Sequence, residues 1–73
     1  MPTIDMQATG RNIKDKMTAK GMTVTDVQDI FGFNTPQAIF KWLRGATLPT
    51  IDNLVILANI FGTTMDDIII TNK

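Results

Sequence analysis

With 73 residues, 44% of them hydrophobic, the chain has length for one domain with a small core, and seven basic residues balance seven acids to a formal net charge of zero. The absence of cysteine and histidine excludes disulfides, thiolate metal sites and imidazole chemistry, so no cofactor or metal is expected and an enzyme is the least favoured class. No run approaches the roughly 18 apolar residues of a membrane span, and the opening Met-Pro-Thr-Ile-Asp lacks the features of a secretory signal, so a cytoplasmic protein without membrane contact is expected.

Glycines divide the sequence into five short predicted helices. The first runs from about Asp5 to Lys20, with Met6, Ile13 and Met17 as its apolar stripe, and stops at Gly21. Gly10 weakens its first turns. The second follows Thr23, whose hydroxyl forms a capping box with Asp26; Val27, Ile30 and Phe31 are expected to be buried, and Gly32 ends it. The third opens with Thr35 as N-cap and Pro36 at the first helical position, where a missing N–H costs nothing, and closes at Gly45. The fourth is capped by Thr50 and turns Ile51, Leu54, Leu57, Ala58 and Phe61 inward before Gly62. A last helix begins at Thr64, whose capping box with Asp67 argues for a helical Ile68-Ile69-Ile70 against the strand preference of three β-branched residues. No repeat, linker or sustained alternation appears, and the expected fold is all-α, a single domain over residues 1–73.

The second and third helices, joined through Gly32, have the shape of a major-groove reader. In the third, Ala38, Ile39 and Trp42 point to a core, leaving Gln37, Phe40, Lys41 and Arg44 on a face without a single acid. Gln37 has the amide geometry to pair with an adenine edge, and Lys41 reaches guanine or phosphate. The plain alternative is a solvated amphipathic helix. On the fourth helix Val55, Ile56 and Ile60 lie outside the inward set, and with Ile70 they suggest an apolar interface between two copies, the alternative being that a short chain buries them within itself.

The ordered set Lys20-Gly21-Met22-Thr23, Val27 through Asn34, Ile39, Trp42, Arg44-Gly45, Leu48-Pro49-Thr50-Ile51-Asp52-Asn53-Leu54, Leu57-Ala58, Phe61-Gly62 and Met65 to Ile69 resembles the Xre/Cro, lambda-repressor-like helix-turn-helix family over roughly residues 9–70. Within it, the stretch from Gly32 to Trp42 resembles a subgroup of small, stand-alone bacterial proteins. The resemblance implies a compact five-helix DNA-binding domain acting on double-stranded DNA as a homodimer in transcriptional control, with a repressor as the expected role.

By position, it places Gln37 and Lys41 at base contacts, with Pro36 at another contact position that has no donor, and Phe40 beside them, where its ring would touch a thymine methyl or stack on sugar. Phe40 packing under the turn or against a partner is the competing reading. Phosphate contacts fall to Thr35, Arg44, Thr25, Asn34, Thr47 and Lys14, although a solvated Lys14 is the simpler reading.

The chain departs from the family pattern where Val24 replaces a phosphate-binding glutamine and Ala46 replaces a frequent lysine, and one extra residue lengthens the turn before Trp42. Met17 and Leu43 stand where many members pair a base with an acid, and a Met17–Leu43 contact is expected instead. A rival reading, an interaction module or antitoxin-like protein that binds a protein partner and has weakened DNA binding, is permitted by zero net charge and by Val24 and Ala46. The operator and any inducer are not encoded in these features.

Overall fold

A computed structural model describes residues 2–72. Five helices, α1 (Met6–Ala19), α2 (Val24–Phe31), α3 (Gln37–Arg44), α4 (Ile51–Phe61) and α5 (Met65–Ile68), are framed by two-residue strands β1 (Thr3–Ile4) and β2 (Thr71–Asn72). The helical architecture is the expected one, and each helix start has a local chemical cause. Asp5 accepts from the Ala8 amide at 3.0 Å, Thr50 from Asn53 at 3.3 Å, and both predicted capping boxes, Thr23 with Asp26 and Thr64 with Asp67, are closed in both directions.

One continuous core joins all five helices: Ile13 and Met17 from α1, Val27 from α2, Ile39 and Trp42 from α3, Leu54, Leu57, Ala58 and Phe61 from α4, and Ile68 from α5. Leu43 packs against the cluster that contains Met17, so both positions of the lost ion pair belong to apolar packing. Two residues expected inside lie outside. Ile30 is 52% exposed because its neighbour Phe31, about 100° further around the helix, takes the inward position with Val24 and Val27. Ile51 is 72% exposed: it is the first residue of α4, and its side chain, tilted toward the helix N-terminus, projects past the end of the core.

The three consecutive isoleucines do not continue a helix. Only Ile68 is helical; Ile69 is extended (φ −79°, ψ 122°), and the chain leaves through Ile70 into β2. β2 pairs antiparallel with β1, Thr3 opposite Asn72 and Ile4 opposite Thr71, so the β-branched preference prevails once the α5 capping box has been used. α1 holds this exit. The Asp5 amide donates to the Ile70 carbonyl at 2.8 Å, the buried Thr9 hydroxyl oxygen accepts from the Ile70 amide at 2.9 Å, and Asn12 Nδ2 donates to the carbonyls of Asp67 and Ile68 at 2.7 and 3.0 Å. These bonds satisfy carbonyls that the end of α5 would otherwise leave unpaired.

Gly10 does not fray α1, which runs unbroken through it. A Cβ there would lie 2.7 Å from the Leu43 carbonyl oxygen and closer still to that of Trp42, so glycine is what lets the α1 and α3 backbones touch. One turn earlier the contact repeats from the other side. Gly45, left-handed at φ +77° where it ends α3, lies so near Gln7 that a Cβ would meet its Cα at 2.8 Å. Two glycines, one within α1 and one capping α3, therefore set how close and how far along α1 the third helix sits.

Candidate nucleic-acid interface

The helix–turn–helix unit is built around a turn of residues 32–36. Gly32 ends α2 in the left-handed region at φ +69°, and Gln28 then grips the next residue twice: its carbonyl accepts from the Phe33 amide and its Nε2 donates to the Phe33 carbonyl, both at 3.1 Å. Phe31, Phe33 and Trp42 close on one another with ring centroids 5.2, 5.5 and 5.9 Å apart, two of the pairs edge-to-face. The longer turn is thus filled, one aromatic from α2, one from the turn and one from α3. Neither the Gln28 grip nor the aromatic triangle was anticipated from sequence. The available signal was a pair of phenylalanines flanking Gly32, with Trp42 on the inward face.

The start of α3 differs from the expected one. Pro36, not Thr35, occupies the cap position (φ −85°, ψ 5°), its carbonyl accepting from the Phe40 amide at 3.1 Å, and no side chain caps the helix. Pro36 carries no side-chain acceptor, and Thr35 stands one residue too early to reach the N2 or N3 amide. The positive end of this helix dipole is left without a protein side-chain acceptor.

Along α3, Ile39 and Trp42 are buried and Ala38 packs beside them, whereas Gln37, Phe40, Lys41 and Arg44 are exposed. The spacing i, i+3, i+4, i+7 brings these four onto one outward face. Asn34 and Thr35 are exposed immediately before it, with Pro36 half-buried; Thr47, also exposed, follows the Gly45 turn. Thr25 is exposed on the first turn of α2. Lys14 is exposed one turn beyond Gly10, on the edge of α1 whose earlier residues Gln7 and Gly10 abut α3.

The α4 candidates do not form one face. Val55 and Ile56 are exposed, but Ile60 is half-buried against the core, and Val55 and Ile60 are about 140° apart around the helix. Ile70 lies between α5 and β2 rather than on a helix, 36% exposed. Among the described residues there is no cluster of metal-ligating side chains, and no helix is long and apolar enough to cross a membrane.

A short α2, a glycine-led turn and an α3 locked against α1 with an open outer face define a helix-turn-helix fold. A family model described as helix-turn-helix matches residues 13–68, and the chain belongs to that family, of the Xre/lambda-repressor-like type. Among solved structures, the chain is similar to the crystal structure of the DNA-binding domain of BldD, with a TM-score of 0.72 at 17% identity over 89% of this chain and 93% of that one, a likeness that shows the fold alone. No curated protein matches the sequence.

Proposed function

We propose that the protein is a sequence-specific DNA-binding transcriptional regulator, a cytoplasmic repressor that inserts α3 into the major groove as a homodimer. The observation that carries this reading is the outer face of α3: an amide donor–acceptor at Gln37 and cations at Lys41 and Arg44, acid-free, on a helix whose other side is sealed by the core. Gln37 pairs with an adenine edge and Lys41 with a guanine or phosphate, while Pro36 contributes shape only. Arg44, Thr35, Asn34, Thr25, Thr47 and Lys14 hold the backbone, together with the uncapped first-turn amides of α3, which suit a phosphate oxygen. Family membership and the likeness to a DNA-binding domain support the class.

The net charge of zero limits nonspecific affinity, so binding depends on a few localised cations. Val55 and Ile56, exposed on α4, are the residues we assign to the dimer contact, with Ile60 and Ile70 at its margin. Such a two-fold pair reads half-sites about one helical turn apart, around 34 Å.

Selection of bound sequences from a random duplex pool at moderate salt tests this. Enrichment of a two-fold symmetric site that relaxes at one position with Gln37→Ala supports base readout. No enrichment from a folded protein favours instead a module that binds a protein partner through the exposed apolar residues of α4.

A further inference from the structure

Phe40 is the sole large apolar residue that α3 exposes, at 46%, and folding makes no use of its ring in the aromatic triangle of Phe31, Phe33 and Trp42. The other exposed large apolar side chains, Ile4, Ile30, Ile51, Val55, Ile56, Met65 and Ile70, lie on other segments. Phe40 is therefore the one large exposed apolar side chain in the polar, cationic stripe of α3, one turn after Gln37 and one turn before Arg44.

We propose that Phe40 reads the C5-methyl group of a pyrimidine in the major groove, a deepening that rests on the DNA-binding reading above. The argument is one of elimination. Base edges in that groove present N7, O6, O4 and amino groups, all polar, and the thymine methyl is their apolar exception. A phenylalanine ring in the middle of the reading face has no donor or acceptor, so over any other edge it strips water from a polar atom and returns nothing. Over a methyl it gains apolar burial. Phe40 thus selects its base by attraction to the methyl and by the desolvation that the alternatives suffer.

Spacing adds a neighbour rule. Gln37 and Phe40 are three residues apart, about 4.5 Å along α3, close to the roughly 3.4 Å of one base-pair step. The adenine paired with Gln37 and the methyl under Phe40 therefore belong to the same or adjacent base pairs, which makes the contacted core A·T-containing. Because the ring senses only the methyl, 5-methylcytosine satisfies it as thymine does, and cytosine methylation at that position strengthens binding.

Fluorescence anisotropy on the selected duplex tests the proposal. Each thymine is replaced in turn by deoxyuridine, and at the sensitive position also by cytosine and 5-methylcytosine, against the wild-type chain and Phe40→Ala. The expected result is one thymine per half-site at which deoxyuridine weakens wild-type binding about fourfold, the equivalent of about 0.8 kcal/mol for one buried methyl. 5-Methylcytosine should recover a similar factor over cytosine, and Phe40→Ala should bind the thymine and deoxyuridine duplexes equally.

Wild-type binding indifferent to deoxyuridine at every position overturns methyl readout while leaving the regulator reading intact, as does a Phe40→Ala chain that keeps the discrimination. A 5-methylcytosine duplex bound no better than cytosine, with deoxyuridine still penalised, confines the source to thymine and overturns the methylation rule. Failure of the wild-type chain to bind any duplex overturns both readings. The wild-type measurements can overturn the proposal even if the variant misfolds, and the intrinsic fluorescence of buried Trp42 reports on that.

Discussion

Replacing Gly10 with alanine sets two effects of opposite sign against each other inside α1. In a solvent-exposed helix interior the change is favourable by about 0.8–1.0 kcal/mol, because alanine loses less backbone entropy on folding. At this position the new Cβ would stand 2.7 Å from the Leu43 carbonyl oxygen, 3.0 Å from its carbon and closer still to the Trp42 carbonyl oxygen, against an ordinary contact of 3.4 Å or more, so α3 must retreat by about 1 Å. The obstacles are main-chain atoms of another helix and have no rotamer to change, which puts the cost toward the upper part of the ~1–3 kcal/mol range for overpacking.

The balance is a loss of about 1–2 kcal/mol. That is a substantial part of the roughly 4–11 kcal/mol expected for a domain of this length, and it corresponds to a Tm lower by about 4–8 °C per kcal/mol. Urea unfolding followed by Trp42, the single tryptophan, measures it directly. A Gly10→Ala chain as stable as the parent, or more so, would show that propensity governs the site and that the α1–α3 contact is looser than described.

Asn12→Ala removes two hydrogen bonds to the carbonyls of Asp67 and Ile68, and we expect a loss of about 1–2 kcal/mol, with amide-exchange protection lost first around α5 and β2. Unchanged protection there would show that Asn12 is incidental. Asp67 should give a pH signature. Hydrogen bonds from the Thr63 hydroxyl, then the Thr64 amide and hydroxyl, with Lys16 nearby, hold its carboxyl below its ordinary 3.8. A carboxylate depressed in the folded state stabilises above its unfolded pKa, so the Tm gap between wild type and Asp67→Asn should be full near neutrality and shrink as pH falls below about 3.8. A gap independent of pH would contradict this.

What was legible in the sequence was whatever depends on near neighbours in the chain. Thr23 with Asp26 and Thr64 with Asp67 announce helix starts because cap and partner are three residues apart, and Gly32, Gly45 and Gly62 announce ends because each is left-handed at the boundary. The outer face of α3 was legible for the same reason, its four residues following from helical period alone.

Contacts between distant segments were not legible. Gly10 reads as a weak point until α3 is brought against it. Thr9 and Asn12 look like ordinary helix polar residues, yet their partners are some 55 to 61 positions away. Ile30 and Ile51 obey the apolar pattern but stand at the edge or the end of what the core covers. The cap of α3 falls one residue later than the sequence suggests, because proline suits the residue before a helix and its first position almost equally well.

The pairing of β1 with β2 makes the fold a ring, since Thr3 and Asn72 face each other across a ladder. A ring of this kind has a natural seam. During synthesis α2 and α3 are complete well before residues 70–72 exist, so the seam shuts after them. Two consequences follow. Appendages joined at either end emerge from the same corner of the molecule. A short peptide joining the two paired strands would also have little distance to span, and would turn a transient seam into a permanent one.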